Sequence, residues 1–223
     1  MSFNSFAQLS DLHYLPPLRQ FSDGVGFTSQ KIYLSTPVTT AFTVDVYLGS
    51  STTSFATLTV SKASSAVYTL ATGGDNDITL LTAAKTGFVQ SASGLRFQSS
   101  GGQKFYVNWR GKSVSQASSL TSKGRAALGT SFKWGGVPNL GPDYNAGFNA
   151  ALGIMATEDG TTVEIFGYNP NSTFRLGTDA DGITADALTI ALNAGQTYVL
   201  EAPFNTAGSP NTDGWLGASI TST

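Results

Sequence analysis

Apolar and polar residues alternate with a period of two along most of the chain. The first examples are Ile32-Tyr33-Leu34 and Phe42-Thr43-Val44-Asp45-Val46-Tyr47-Leu48. Ala56 to Val60, Ala66 to Leu70, Gly94 to Gln98 and Lys104 to Trp109 continue the pattern. The last third repeats it at Thr161 to Phe166, Thr173 to Leu176, Ala187 to Leu192, Thr197 to Glu201 and Trp215 to Ile220. A period of two sends alternate side chains to opposite faces of a strand. β-Branched and aromatic residues are enriched in these runs, and Gly, Asn, Asp and Pro punctuate them at short intervals. Many short strands at regular spacing predict an all-β chain of two packed β-sandwich lobes, Ig-like or jelly-roll-like, with a short helical connection.

One stretch departs from the alternation. Ser113 to Gly129 is rich in Ser and Ala and poor in β-branched residues. Ser122 is placed to cap one or two helical turns through Arg125, Ala126 and Leu128, with Gly129 as the stop. The predicted organisation is residues 1–11 as a flexible start or signal-peptide remnant, 12–112 as a first sandwich lobe, 113–136 as a connector and 137–223 as a second lobe. Ser5-Phe6-Ala7 before Gln8 has the small-residue character of an export-signal cleavage site; an ordinary chain start accounts for it equally.

A weak internal repeat adds to this picture. Leu58-Thr59-Val60 and Val67-Tyr68-Thr69-Leu70 resemble Leu188-Thr189-Ile190 and Thr197-Tyr198-Val199-Leu200, each pair bracketing a small polar turn. A Leu-containing strand follows in both, Leu95 to Ser100 and Leu216 to Ser222. Lys104 to Trp109 comes next in the first copy only, so the second lobe is expected to lack its last strand. Look-alike hairpins are common in all-β chains and are the alternative.

Composition narrows the function classes. With no cysteine, thiol catalysis, thiolate zinc and disulfide frameworks are excluded. Charged residues make up 12% of the chain, about half the usual ~25%. Ser, Thr, Gly, Ala and Asn fill the polar positions, a habit of extracellular β modules. No apolar run approaches the ~20 residues of a membrane-spanning helix, and the acidic balance argues against nucleic acid as a partner. The charge is unevenly spread. Residues 78–142 hold Lys85, Arg96, Lys104, Arg110, Lys112, Lys123, Arg125 and Lys133 with no acid, whereas residues 143–223 hold Arg175 as the one base among acids.

Candidate chemistry is sparse. His13 is the sole histidine and precedes Tyr14-Leu15-Pro16-Pro17, so a polar structural contact is favoured over catalysis. Glu158-Asp159-Gly160 reads as a hairpin turn rather than a glycosidase pair. No cofactor is implied. Asp179, Asp181 and Asp186 around Gly182 are the candidate ligands for Ca2+, a hard cation that takes oxygen donors; Asx turns explain the same residues without an ion. Arg110, Lys112, Lys123 and Arg125 form a candidate patch for an anionic ligand, with Tyr106 and Trp109 as stacking faces. The competing reading has the basic block neutralising the acidic one.

Three segments carry a family resemblance: Phe105-Tyr106-Val107-Asn108 through Ser113 to Thr130, Met155 to Ile165, and Leu192 to Ala202. They resemble the IgGFc-binding-protein-like N-terminal domain of Bacteroidetes cell-surface proteins, adhesin-like, gliding-motility-associated and exported by type IX secretion. The resemblance implies a non-enzymatic adhesion module at the outer cell surface that contacts protein or glycan, with no catalytic residues to transfer. In that family a further Lys-Pro-led strand and a sorting domain follow, so the chain resembles a front domain of a larger protein. The alternatives are a structural assembly module completed by a strand from a neighbouring chain or downstream domain at the C-terminal edge, a viral or phage coat or tail domain, and a carbohydrate-active sandwich.

Overall fold

The computed structural model describes residues 9–20, 27–70, 77–113, 117–136, 149–203, 210–213 and 215–223. The strands of the first lobe are β1 (Leu12–Leu15), β2 (Leu18–Arg19), β3 (Ser29–Ser35), β4 (Phe42–Leu48), β5 (Ser54–Val60), β6 (Ala66–Leu70), β7 (Leu80–Leu81), β8 (Leu95–Ser99), β9 (Tyr106–Lys112) and β10 (Ala117–Thr121). Those of the second are β11 (Ser131–Lys133), β12 (Ala150–Met155), β13 (Thr161–Phe166), β14 (Phe174–Leu176), β15 (Asp179–Ile183), β16 (Ala187–Leu192), β17 (Thr197–Ala202) and β18 (Ser219–Ser222). The predicted all-β class with two sandwich lobes is what forms. Among the described residues no helix is long and apolar enough to cross a membrane.

In the first lobe the sheet β1-β8-β4-β5 packs on the sheet β10-β9-β3-β6. Inward residues of the alternating runs meet between them: Ile32 and Leu34, Val44 and Val46, Leu95 and Phe97, Phe105, Val107 and Trp109. In the second lobe the sheet β11-β18-β13-β16 packs on the pair β12-β17. Its core is Val163, Ile165, Phe174, Leu200, Trp215 and Trp134, the two indoles stacked at 3.8 Å.

The two lobes share one topology. β1 pairs β8, β8 pairs β4, β4 pairs β5, and β3 pairs β6, all antiparallel. In the same chain order β11 pairs β18, β18 pairs β13, β13 pairs β16, and β12 pairs β17. The β14-β15 hairpin is an insertion in the second copy. The weak repeat in the sequence falls on β5-β6 and β16-β17, which are not hairpins: each pair steps from one sheet to the other. The Glu158-Asp159-Gly160 turn likewise joins β12 to β13 in different sheets, not the arms of a hairpin.

Residues 113–136 differ from the expected connector. Ala117–Thr121 adds a strand to the first lobe, and Ser131–Lys133 adds one to the second. Between them the helix is a single 3-10 turn, Gly124–Ala127. Gly124 sits at φ +61°, and a methyl there would lie 2.3 Å from Ser10 Cβ; that backbone cannot continue an α-helix.

The lobes close on each other over the outer face of β17, whose six residues are all buried. Gly87 N donates to Val199 O at 3.0 Å, and Gln90 and Thr197 exchange two backbone bonds of 2.9 Å. Glu201 is completely buried there and accepts from Arg19 Nε at 2.8 Å and Arg175 Nε at 2.7 Å. Asn149 Nδ2 donates to its other oxygen. Close backbone approach completes the joint: a methyl on Gly153 would lie 2.1 Å from Pro17 O, and one on Gly195 2.3 Å from Gly49 O.

Candidate functional site

Strand β9 organises the residues the sequence singled out. Val107 and Trp109 point inward with Phe105, so Tyr106, Asn108, Arg110 and Lys112 share the outward row, about 20 Å from end to end. Register places Ser35, Tyr33, Lys31 and Ser29 of β3 beside them, in that order. On the far side lie Thr121, Ser119 and Ala117 of β10. Lys31 and Arg110 are directly opposite, a like-charge cross-strand pair that costs stability unless a partner offsets it. Neither Lys31 nor Lys112 makes an ion pair with a described residue, and no carboxylate belongs to this outward set.

The guanidinium of Arg110 is held in place. Its Nε donates to Asn108 Oδ1 at 2.8 Å, and its carbon lies 5.0 Å from the Tyr33 ring centre. Asn108 Nδ2 in turn donates to Thr121 Oγ1 at 2.8 Å and Ser119 Oγ at 3.0 Å. Those bonds leave much of the guanidinium edge free for an anion, with Tyr106 half-buried two positions beyond Asn108.

The remaining candidates fall elsewhere. Trp109 is 4% exposed, donates Nε1–H to Gln30 Oε1 at 3.2 Å and meets Phe27 edge-on. It is a core residue and not a stacking face; Tyr33 takes that place on the surface. Arg125 forms a two-pronged ion pair with Asp11, 2.8 and 3.0 Å, off this face. The Arg125 hydrogen bonds hold the Asp11 carboxyl below its usual pKa. Lys123 is exposed but lies past the end of β10 at Thr121, at the start of the 3-10 turn. Asp179, Asp181 and Asp186 do not converge. Asp179 Oδ1 accepts from Asp181 N at 3.0 Å, and Asp181 Oδ1 accepts from Thr173 Oγ1 at 2.6 Å, the bonding of a turn. Among the described residues no metal-sized group of carboxylates or histidines forms.

Among the described residues no ion pair links the basic block to the acidic one. Lys85 pairs with Asp77 and Arg125 with Asp11, both from residues 1–77, before the basic block. Glu201, from the acidic block, takes Arg19 and Arg175 instead. His13 is fully buried, with Nε2 2.8 Å from Phe105 O and Nδ1 3.0 Å from Ser122 Oγ. Burial pushes its pKa down, and it faces core rather than a cleft.

A large concavity lies in the second lobe. It measures about 760 Å³ and runs between β12 on one side and β11, β18 and β13 on the other. Leu152, Ile154, Val163, Phe132, Trp134 and Ile220 make its walls.

Lys31 and Tyr33 were not singled out by sequence. Their outward phase in Lys31-Ile32-Tyr33-Leu34 was readable, but the pairing of β3 with β9, across more than seventy residues, was not. Among known proteins, no curated sequence and no solved structure matches the chain. A family model described as IgGFc binding protein matches residues 117–223, from β10 to the end of β18, and so takes in the later part of the first resembling segment and all of the other two. That part of the chain is similar to an IgGFc-binding domain.

Proposed function

We propose that this protein is a non-enzymatic extracellular binding module, part of a larger bacterial cell-surface adhesin of the gliding-associated kind. Its contact face is the outer face of the sheet β10-β9-β3-β6, and its ligand there is an anionic glycan. The observation that carries the reading is the like-charge set Lys31, Arg110 and Lys112, which has no ion-pair partner among the described residues and is flanked by Tyr33 and Tyr106 on a face without a described carboxylate. A carboxylated or sulfated sugar chain supplies the missing anions, and tyrosine rings suit the apolar faces of sugars. The family match supports a binding role, and its name points to a protein ligand.

The test compares immobilised sulfated and uronate polysaccharides with a neutral glucan, polyglutamate and IgG Fc. The triple variant Lys31→Ala/Arg110→Ala/Lys112→Ala should lose about 10- to 100-fold in affinity for the acidic glycans, from three solvated pairs of up to ~1 kcal/mol each. Polyelectrolyte binding should weaken with salt at a log–log slope of about −2 to −3, roughly one ion per neutralised charge. Equal affinity of the triple variant for every acidic glycan sinks this face. Preference for polyglutamate or Fc, lost in the variant, keeps the face and changes the ligand.

A further inference from the structure

The cations and the neutral groups of the β10-β9-β3-β6 face are segregated. On β9 the outward row begins at Lys112 and Arg110 and continues as Asn108 and Tyr106. On β3 the neighbours run Ser29, Lys31, Tyr33 and Ser35 in the same order. On the far side of β3, β6 sets Thr69 beside Lys31 and Val67 beside Tyr33. On the far side of β9, β10 sets Ala117, Ser119 and Thr121 beside Lys112, Arg110 and Asn108. Three cations therefore share one end of the face. The other end holds two tyrosines, an exposed valine and amide and hydroxyl groups. The next base along the row, Lys104, lies within electrostatic reach of the Asp11 carboxylate.

The three cations are close enough to serve one anionic group. Lys31 lies directly opposite Arg110, about 5 Å away between Cβ atoms. Lys112 follows Arg110 by two residues, about 7 Å along the strand. Arg110 is the fixed member, since Asn108 Oδ1 accepts its Nε–H at 2.8 Å and its carbon stands 5.0 Å from the Tyr33 ring centre. That leaves its terminal nitrogens to meet an anion edge-on.

Charge decides among the anions. A carboxylate matches the guanidinium edge with two oxygens and one charge, which leaves two cations uncompensated. A sulfate ester has three terminal oxygens but the same single charge. A phosphomonoester has three terminal oxygens and a charge of about −1.5 to −2 at pH 7, the nearest match to three cations. A regular polyanion, moreover, would set charges over Tyr106 and Ser35, where the face has no cation to meet them.

We infer that Lys31, Arg110 and Lys112 together bind one phosphomonoester group carried by an otherwise neutral oligosaccharide, whose rings lie along Tyr33 and Tyr106. The inference rests on this face being the glycan contact. From Arg110 to Tyr106 the row runs four residues, about 14 Å, room for a short oligosaccharide. Sulfated and carboxylated sugars meet the same cations with less charge and are the weaker ligands.

The experiment titrates the 223-residue chain at constant ionic strength and follows NMR chemical shifts. The probes are glucose 6-phosphate, glucose 6-sulfate, glucuronate, inorganic phosphate, and maltotriose with and without a 6-phosphate on its end ring. At pH 7.5 glucose 6-phosphate should bind about fivefold more tightly than the sulfate or the uronate, the worth of one further solvated ion pair. That advantage should vanish by about pH 5, because the phosphate takes up its second proton near pH 6. The titratable and charged groups facing the anion are Lys31 and Tyr33 of β3 and Arg110, Lys112 and Tyr106 of β9; the outward residues of β6 and β10 carry no charge. The sulfate keeps its charge over this range and so registers any change in the protein itself. Phosphorylated maltotriose should bind more tightly than inorganic phosphate, and Tyr106→Ala should narrow that gap. Lys31→Gln should narrow the gap between glucose 6-phosphate and glucuronate. Equal binding of the three acidic monosaccharides, a phosphate advantage unchanged at pH 5, or inorganic phosphate as strong as the phosphorylated trisaccharide overturns the inference and leaves the face a general anionic-glycan contact. If no acidic sugar and no acidic polysaccharide binds, the reading of the face fails along with it.

Discussion

Glu201→Gln is the sharpest test of how the lobes are joined. The carboxylate is completely buried and receives Arg19 Nε at 2.8 Å, Arg175 Nε at 2.7 Å and Asn149 Nδ2. Both guanidiniums are nearly buried themselves, with side chains 8% and 12% exposed. The amide is isosteric, so packing is kept and only the charge is lost. Two cations then face each other across the joint with no counter-ion and little water. Breaking a buried pair by removing one partner costs about 3–5 kcal/mol. For a chain of this size, ~1 kcal/mol moves the melting midpoint by about 2–4 °C, so a fall of roughly 6–20 °C is expected by calorimetry or far-UV dichroism. The triple replacement Arg19→Met/Arg175→Met/Glu201→Leu removes the charges together and should recover most of that loss, because desolvating the network offsets much of its attraction. A Glu201→Gln midpoint within about 2 °C of the parent would refute the clamp.

Other outcomes follow from single features. His13 is the only histidine, and its depressed pKa means that the unfolded chain binds a proton before the folded one does. Stability should therefore be constant above the unfolded value near 6.5 and fall as pH drops through it toward the folded value, at up to ~1.4 kcal/mol per pH unit; urea titrations between pH 7.5 and 5 measure the slope, and a flat profile contradicts the buried neutral ring. Phe105→Ala should cost about 3–5 kcal/mol, since the ring fills the first lobe against His13 and Phe42. Gly195→Ala adds a methyl at φ +76° against Gly49 O and should destabilise by about 2 kcal/mol or more, read as a midpoint shift. Arg125→Ala, by contrast, removes a half-exposed pair worth at most ~1 kcal/mol and should leave glycan affinity unchanged in the binding assay.

What the sequence made legible was set by whether a residue's environment is local. β4, β6, β13 and β16 were readable to their ends because each has one face in a core and one in water. β12, Ala-Ala-Leu-Gly-Ile-Met, shows no alternation because its outer face packs on Pro17 and its inner face lines the cleft. β10 looked like a Ser/Ala connector, since an edge strand with every residue but the last exposed has no apolar signal. Trp109 is instructive in the other direction. Its phase with Phe105 and Val107 already marked it as inward, and its size and proximity to arginine drew attention the alternation did not warrant. Glu201 carried no local sign at all, because the partner that explains it, Arg19, lies at the other end of the chain.

The duplication also explains why the two copies serve different purposes. In the first lobe the sheet containing β3 has four strands, and its outer face carries charge that no described residue pairs. In the second lobe the matching sheet has two described strands, and the outer face of β17 is spent on the joint, with Val199 and Glu201 fully buried against the first lobe. A face committed to that joint cannot also present ligand contacts, so outward binding chemistry is confined to the first lobe. The second lobe keeps the cleft between β12 and the sheet of β11, β18 and β13. Weakening the joint with Glu201→Gln should lower stability while leaving glycan affinity untouched, and removing the Lys31, Arg110 and Lys112 charges should lower glycan affinity while leaving the joint intact. Independence of the two effects in one double variant, with additive changes to within about 0.5 kcal/mol, is the behaviour this division requires; strong coupling between them would mean that the lobes work as a single site.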